Sequence, residues 1–262
     1  MFDASAKSRL AETRFGQVRH FESVNSTNTC LLELAREGAD EGLVVVAGHQ
    51  DAGRGRMDRS WSAPPGGSLL VSILLRPQLD ADHLHLLTAV TAMAAADACE
   101  AVAGVRPQLK WPNDLIVGRR KLAGILAEAD LSGGEVNAVV VGLGLNLAWP
   151  DPVPDELADI AITLSQAAGR LVDDPDAMLV EVLVGLEPRY AALATPAGRR
   201  AQTSDYRSRC STLGQAVRVA LPDETFTGTA LDLSPEGHLF VDVGMCVRTV
   251  TAGDVVHIRP LA

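Results

Sequence analysis

The chain's 262 residues are 47% hydrophobic and 21% charged, with a formal net charge of −10, which suits a globular protein with one large domain, or a large and a small one. The acidic balance argues against a nucleic-acid groove as the main business, and the polar start MFDASAKSRLAETRFG is unlike a signal peptide. No apolar run looks long enough to cross a bilayer, and Cys30, Cys99, Cys210 and Cys246 make no CxxC pair, so the chain reads as cytoplasmic, with free thiols and no zinc site.

The first predicted helix opens at Ser26-Thr27-Asn28, continues through Leu31, Leu32, Leu34 and Ala35, and stops at Gly38. GLVVVAG (42–48) predicts a buried strand from its β-branched run. The loop QDAGRGRMDRSW (50–61) separates it from a second apolar strand in PPGGSLLVSILLRP (64–77). Residues 81–103 predict a long Ala-rich helix, stopped by Gly104 and Pro107 and suited to close packing on a sheet. Three strands follow in LIVG (115–118), GILAEA (124–129) and VNAVVVGLGLNL (136–147). A helix is predicted from about 175 to 194, kinked or ended by Pro188, and another leads to Arg209. After Cys210, five short alternating segments with Pro-Asp, Pro-Glu-Gly and Ala-Gly-Asp turns predict a small all-β barrel. Strands mixed with helices, then strands alone, imply an α+β domain over 1–209 and a β appendage over 210–262.

Four clusters carry polar chemistry. In the loop, Gly53 and Gly55 allow close backbone approach, Arg54, Arg56 and Arg59 present forks that match carboxylate or phosphate oxygens, and Trp61 offers a stacking face. The alternative is an ordinary surface loop, because the pattern is neither a Walker A nor a dinucleotide fingerprint. KWPNDLIVGRRKLAGILAE (110–128) puts Asn113 and Asp114 at the head of a strand, where an amide and a carboxylate could serve a magnesium–nucleotide complex; Lys121 could reach the same place. A plain turn and a snorkelling lysine are the competing readings. Lys7, Lys110 and Lys121 are the only lysines among 23 basic residues, and a position that keeps lysine among so many arginines suits a compact, mobile ammonium. Within GLGLNL, Gly142 and Gly144 weaken a strand unless something presses on its backbone, and Asn146 brings a polar group into an apolar run. Ser26-Thr27-Asn28 could be a helix cap, or with Gln50 could read a neutral polar ligand head. His49 beside Gln50 reads as a surface or packing histidine rather than a base, and His83 and His85, two apart, share no helix face for a metal.

In this order and spacing, Ser26-Thr27-Asn28, Gln50 with Gly53-Arg54-Gly55-Arg56, Lys110 to Asp114, Lys121 to Leu126 and Gly142 to Asn146 resemble the biotin protein ligases over roughly residues 20 to 262. The resemblance implies a mixed sheet related to the class II aminoacyl-tRNA synthetase core, followed by an SH3-like barrel. It also implies an enzyme that activates biotin with ATP and magnesium as biotinyl-5′-AMP, then transfers it to a lysine of the biotin carboxyl carrier domain of acyl-CoA carboxylases. Catalytic roles then fall to Arg54, Arg56 and Lys121. Biotin contacts fall to Ser26, Thr27, Asn28, Gln50, Arg54, Gly55, Arg56, Lys121 and Gly124. Contacts to ATP or the adenylate fall to Arg56, Arg59, Trp61, Lys110, Asn113, Asp114 and Asn146, with Asn113 and Asp114 on magnesium. The arginine loop would be a lid that orders on ligand. Two departures stand out: Met57-Asp58-Arg59 follows GRGR, where the family often has Gly and Arg, and the chain starts without the winged helix of some members. Ligase without repressor activity is expected, as a monomer or weak homodimer with no nucleic-acid or membrane partner. A lipoate–protein ligase or octanoyltransferase, and a non-catalytic biotin-responsive regulator, are the competing functions.

Overall fold

In the computed structural model the described residues are 2–257 except 58, 133–134, 151–152, 154, 222 and 252–253. Asp58, on which one departure rests, therefore lies outside them. Helix α1 (Ala4–Ala11) and strand β1 (Val18–Val24) come first, followed by α2 (Thr27–Arg36), β2 (Val44–Gln50) and β3 (Ser68–Leu75). A 3-10 turn (Ala81–His83) leads into α3 (His85–Ala103), then β4 (Gln108–Lys110), β5 (Asp114–Val117), β6 (Arg120–Ser132) and β7 (Glu135–Asn146). Helices α4 (Asp155–Ala158), α5 (Leu164–Ala168), α6 (Pro175–Ala192) and α7 (Pro196–Arg209) complete this part. Strands β8 (Ala216–Ala220), β9 (Thr225–Leu233), β10 (Leu239–Asp242), β11 (Val247–Val250) and β12 (Asp254–His257) form the rest.

Seven strands make one mixed sheet in the order β1-β2-β3-β7-β6-β5-β4, parallel between β1 and β2 and antiparallel elsewhere. Strand β3 lies inside it, buried along its whole length, as its unbroken apolar run requires. Helix α2 closes one face through Leu31, Leu32 and Ala35 against Leu43, Val45 and Val140. Helices α3 and α6 pack on the other face and on each other. The last five strands pair separately, in the order β11-β10-β9-β8-β12.

Two expectations need correction. Helix α3 is, by length and composition, apolar enough to cross a bilayer, with a mean hydropathy of 1.5; its apolar side chains are instead spent on the core, from Leu86 to Cys99. Pro188 does not end α6, which runs past it to Ala192. Pro112 follows Trp111 through a cis peptide bond. Elements α1, β1, β4, α4 and α5 had no expectation, being short or mostly exposed; β1 is an edge strand with no buried residue.

Trp111 bolts the two sheets together. Its backbone N–H donates to Thr212 Oγ1 (3.0 Å), and its Nε1 donates to the Gly237 carbonyl (3.1 Å) in the turn between β9 and β10. The same turn lies against His85, whose ring sits 5.2 Å from that of His238. Burial, and then His238, lower the His85 pKa from 6.5 to about 4; the Asp82 backbone and the Glu236 carboxylate oppose the shift, and His83 adds to it. A folded pKa below the unfolded one means stability that is present above pH 6.5 and lost as pH falls through about 4, at most about 3 kcal/mol. Glu181, held low by its hydrogen bond from Arg9, adds a loss only below about 4.5. Urea midpoints measured at pH 7, 5.5 and 4.5 are expected to decline across this range, and to decline much less in His85→Leu.

Candidate active site

A cavity of about 130 Å³ opens on the α2 face of the sheet, where β6 and β7 run under the loop between β2 and β3. Its floor is made by glycines. A Cβ at Gly142 would collide with the Asn28 carboxamide, and one at Gly144 with the Trp61 indole; Gly124, which pairs with Gly144, lies under Trp61 and Lys121. Side chains thus press directly on strand backbone, the condition under which glycine is retained in a strand.

One end of the cavity is neutral and polar. Ser26 precedes α2 but makes no capping bond with its side chain. The cap comes from Gln50 at the end of β2, whose Oε1 accepts from the Thr27 N–H (2.8 Å) and lies 3.0 Å from Thr27 Oγ1. Ser72, fully buried in β3, stands 2.8 Å from Thr27 Oγ1 and donates to Asn28 Oδ1 (2.6 Å). Asn28 Nδ2 donates to the Leu126 carbonyl and to Glu128 Oε2 (2.7 Å), which also accepts from Arg54 (2.8 Å). The polar side chains therefore hold one another in fixed orientations.

The other end is charged. Lys121 Nζ lies 2.7 Å from Asp114 Oδ1 and 5.5 Å from the Trp61 ring centre. The Arg56 guanidinium reaches Asn113 Oδ1 at 3.4 Å. Burial lowers the Arg56 pKa, with Asp114 and Asp254 opposing it. Arg59 is bonded through both terminal nitrogens to Asp254 of β12 (3.2 and 2.6 Å), which raises its pKa. The loop folds back on itself, with Gly55 N–H donating to the Arg59 carbonyl, and Trp61 N–H to that of Gly53 (2.9 Å). Its tip, Met57, has φ +53°, unusual for a residue with a side chain.

Residues 20–146 match the biotin/lipoate A/B protein ligase family, and residues 212–258 match the biotin protein ligase C-terminal domain. The chain is 35% identical to the biotin--[acetyl-CoA-carboxylase] ligase of Mycobacterium tuberculosis over 247 residues, covering 89% of this chain and 86% of that protein. It belongs to the biotin protein ligase family. It is also 33% identical to the bifunctional ligase/repressor BirA of Bacillus subtilis, over 94% of this chain and 78% of that one. The biotin protein ligase of Aquifex aeolicus in complex with biotin and ATP superposes with a TM-score of 0.81 at 27% identity, covering 94% of this chain and all of that one.

In this ligase the fold brings most of the expected residues together. Ser26, Thr27, Asn28, Gln50, Arg54, Gly55, Arg56, Arg59, Trp61, Asn113, Asp114, Lys121 and Gly124 all line the cavity. Lys110 does not: it sits on the edge strand β4, paired in register with Asp114, and its charge is felt by His257. Nor does Asn146, whose buried carboxamide donates to the carbonyls of Lys121 (3.4 Å) and Ile162 (3.3 Å) and so braces the strand that carries Lys121. As a magnesium ligand Asn113 is poorly placed, because its Nδ2 is bound to the Ile125 carbonyl (2.7 Å) and its oxygen faces Arg56. His49 stays outside the lining, 3.7 Å from Asp51.

Three participants escaped the sequence. Ser72 was signalled only as a hydroxyl inside an apolar strand, and Glu128 only as the end of KLAGILAE. Asp254 had no signal, because its role depends on where the last strand docks. Replacing it by Asn should free the arginine loop: trypsin is expected to cut at Arg54–Arg59 several-fold faster, with thermal stability nearly unchanged, since an exposed pair is worth about 0–1 kcal/mol.

Proposed function

We propose that the chain is an ATP-dependent biotin–protein ligase that forms biotinyl-5′-AMP and passes biotin to a lysine of the carrier domain of an acyl-CoA carboxylase. The observation behind this reading is a single cavity with a neutral hydrogen-bonding end and a cationic end, linked through Glu128 and Arg54. An acid with a neutral cyclic urea at one terminus and a carboxylate at the other matches both ends.

Thr27, Asn28 and Ser26, steadied by Gln50 and Ser72, would bind the ureido ring. A ligand without matching donors and acceptors would leave buried groups unpaired, and this favours biotin over lipoate or octanoate. At the other end the biotin carboxylate must approach the α-phosphate of ATP. Two unit charges at 4 Å repel by about 4 kcal/mol at moderate effective dielectric. Arg56 and Lys121, converging on Asp114, would reverse that sign, with Arg59 on the phosphate side. The carboxylate oxygen attacks phosphorus and pyrophosphate leaves with the negative charge. The carrier's amine then attacks the acyl carbon, releases AMP and loses a proton to solvent. No dedicated base is required, because the adenylate is already activated and mainly needs positioning. Trp61 would cover it, and its Nε1 is buried without a partner.

Magnesium fits in a limited way. Among the described residues no three metal-binding side chains cluster, but a magnesium ion carried by phosphates and water asks a protein for only one or two carboxylates, and Asp114 supplies one. It would neutralise the leaving pyrophosphate. The remaining elements of this reading are a boundary at 209/210, an SH3-like barrel in the C-terminal strands, a core related to class II synthetases, and a cytoplasmic setting.

Incubation with biotin, Mg-ATP and an apo carrier domain is expected to add one biotinyl mass to the carrier; an unchanged carrier mass would refute the proposal. In biotin-dependent pyrophosphate exchange, Arg56→Ala and Lys121→Ala should each lose about 100-fold or more, consistent with ~3 kcal/mol of charge stabilisation. Thr27→Val should mainly raise the KM for biotin, by about 5- to 100-fold, as expected when a buried hydrogen-bonding group loses its partner.

A further inference from the structure

Strand β6 borders two cavities. Lys121, Gly124 and Glu128 serve the active-site face, whereas Ala127 and Ala129 line a second cavity under the opposite face. This second cavity has a volume of about 280 Å³ and is enclosed by α3, α7, the end of β6 and the turn after β9. Trp111, Leu126, Val139 and Leu233 supply most of its apolar wall. Arg56, Asn113, Ile125 and Leu126 line both cavities, which therefore adjoin.

Two atoms point to a ligand. His85 Nε2 and Thr203 Oγ1 belong to residues that line this cavity, and both are buried without a hydrogen-bond partner. Orphans of this kind are rare in folded proteins and are normally met by water or a bound molecule. Burial keeps the His85 imidazole neutral at neutral pH, and in the tautomer protonated at Nδ1 its unpartnered Nε2 is an acceptor. Thr203 can donate its hydroxyl hydrogen. Apart from Arg56, which lines both cavities, no side chain lining this one carries a charge at neutral pH.

We propose that this cavity is a second small-molecule site, for a neutral, ring-sized aromatic ligand that offers one N–H or O–H donor to His85 and one carbonyl acceptor to Thr203. The volume suits one substituted ring, since apolar cavities of roughly 150 Å³ hold benzene. A ligand seated there would press on Leu126 and Arg56 from behind the active site.

The test uses the full chain without biotin or ATP, so its outcome is independent of the ligase reading. Benzamide, toluene and benzoate have nearly the same ring and differ in polar group and charge. Titration calorimetry is expected to give saturable benzamide binding, at least fivefold tighter than toluene or benzoate. His85→Leu and Thr203→Val should each weaken benzamide at least fivefold and leave toluene unchanged, and thermal melts will establish that both variants are folded. Toluene binding as tightly as benzamide, benzoate binding more tightly, or benzamide indifferent to both substitutions would each overturn the proposal. So would a high-resolution structure grown with benzamide in which water alone bridges the two orphan atoms.

Discussion

Cationic side chains crowd one small cavity, and the folded chain tolerates them because carboxylates stand among them. Arg54 leans on Glu128, Lys121 on Asp114, and Arg59 on Asp254. Each carboxylate is less exposed than the cation it holds. A charge taken out of water is costly unless paired, so the acids keep the cluster foldable before any anionic ligand arrives. They also give the cluster its character as a binding site. Under the proposed function, an incoming carboxylate or phosphate would meet guanidinium and ammonium groups already oriented by acids that stay close by.

The neutral end obeys a different constraint. Thr27, Asn28, Gln50 and Ser72 use part of their bonding capacity on one another. A buried network of this sort is worth having only if every member is satisfied or awaits a defined partner. Gly142 and Gly144 make room for it, one under Asn28 and the other under Trp61. Floor and wall are therefore one unit: a larger residue at either glycine would move the side chain that lines the cavity above it.

The C-terminal strands take part in this arrangement. Trp111, next to Asn113 and Asp114, is hydrogen-bonded to Thr212 and to Gly237, and Asp254 reaches back to Arg59. The turn bearing Asn113 and Asp114 and the arginine loop are thus both tied to the last five strands. The segment that bears no chemical motif steadies two that do. On the other side of the sheet, the same turn and α3 enclose a cavity with two unpaired polar atoms, so the neighbourhood of the active site holds space on both faces of β6.

Much of this was legible in order along the chain. Unbroken β-branched runs marked the inner strands, caps and glycine stops marked α2 and α3, and GRGR, KWPND, KLAGIL and GLGLN marked segments that the fold brings to one cavity, because backbone conformation there demands particular residue types locally. Tertiary structure alone decided the rest. Lys110 and Asn146 carry suitable groups, but strand register turns one to the sheet edge and the other into a brace. Ser72, Glu128 and Asp254 act only because strands distant in sequence lie side by side. By itself the sequence determined which residues could do this chemistry; folding decided which of them meet, since hydrogen bonds and ion pairs depend on distances of a few ångströms that spacing along the chain does not specify.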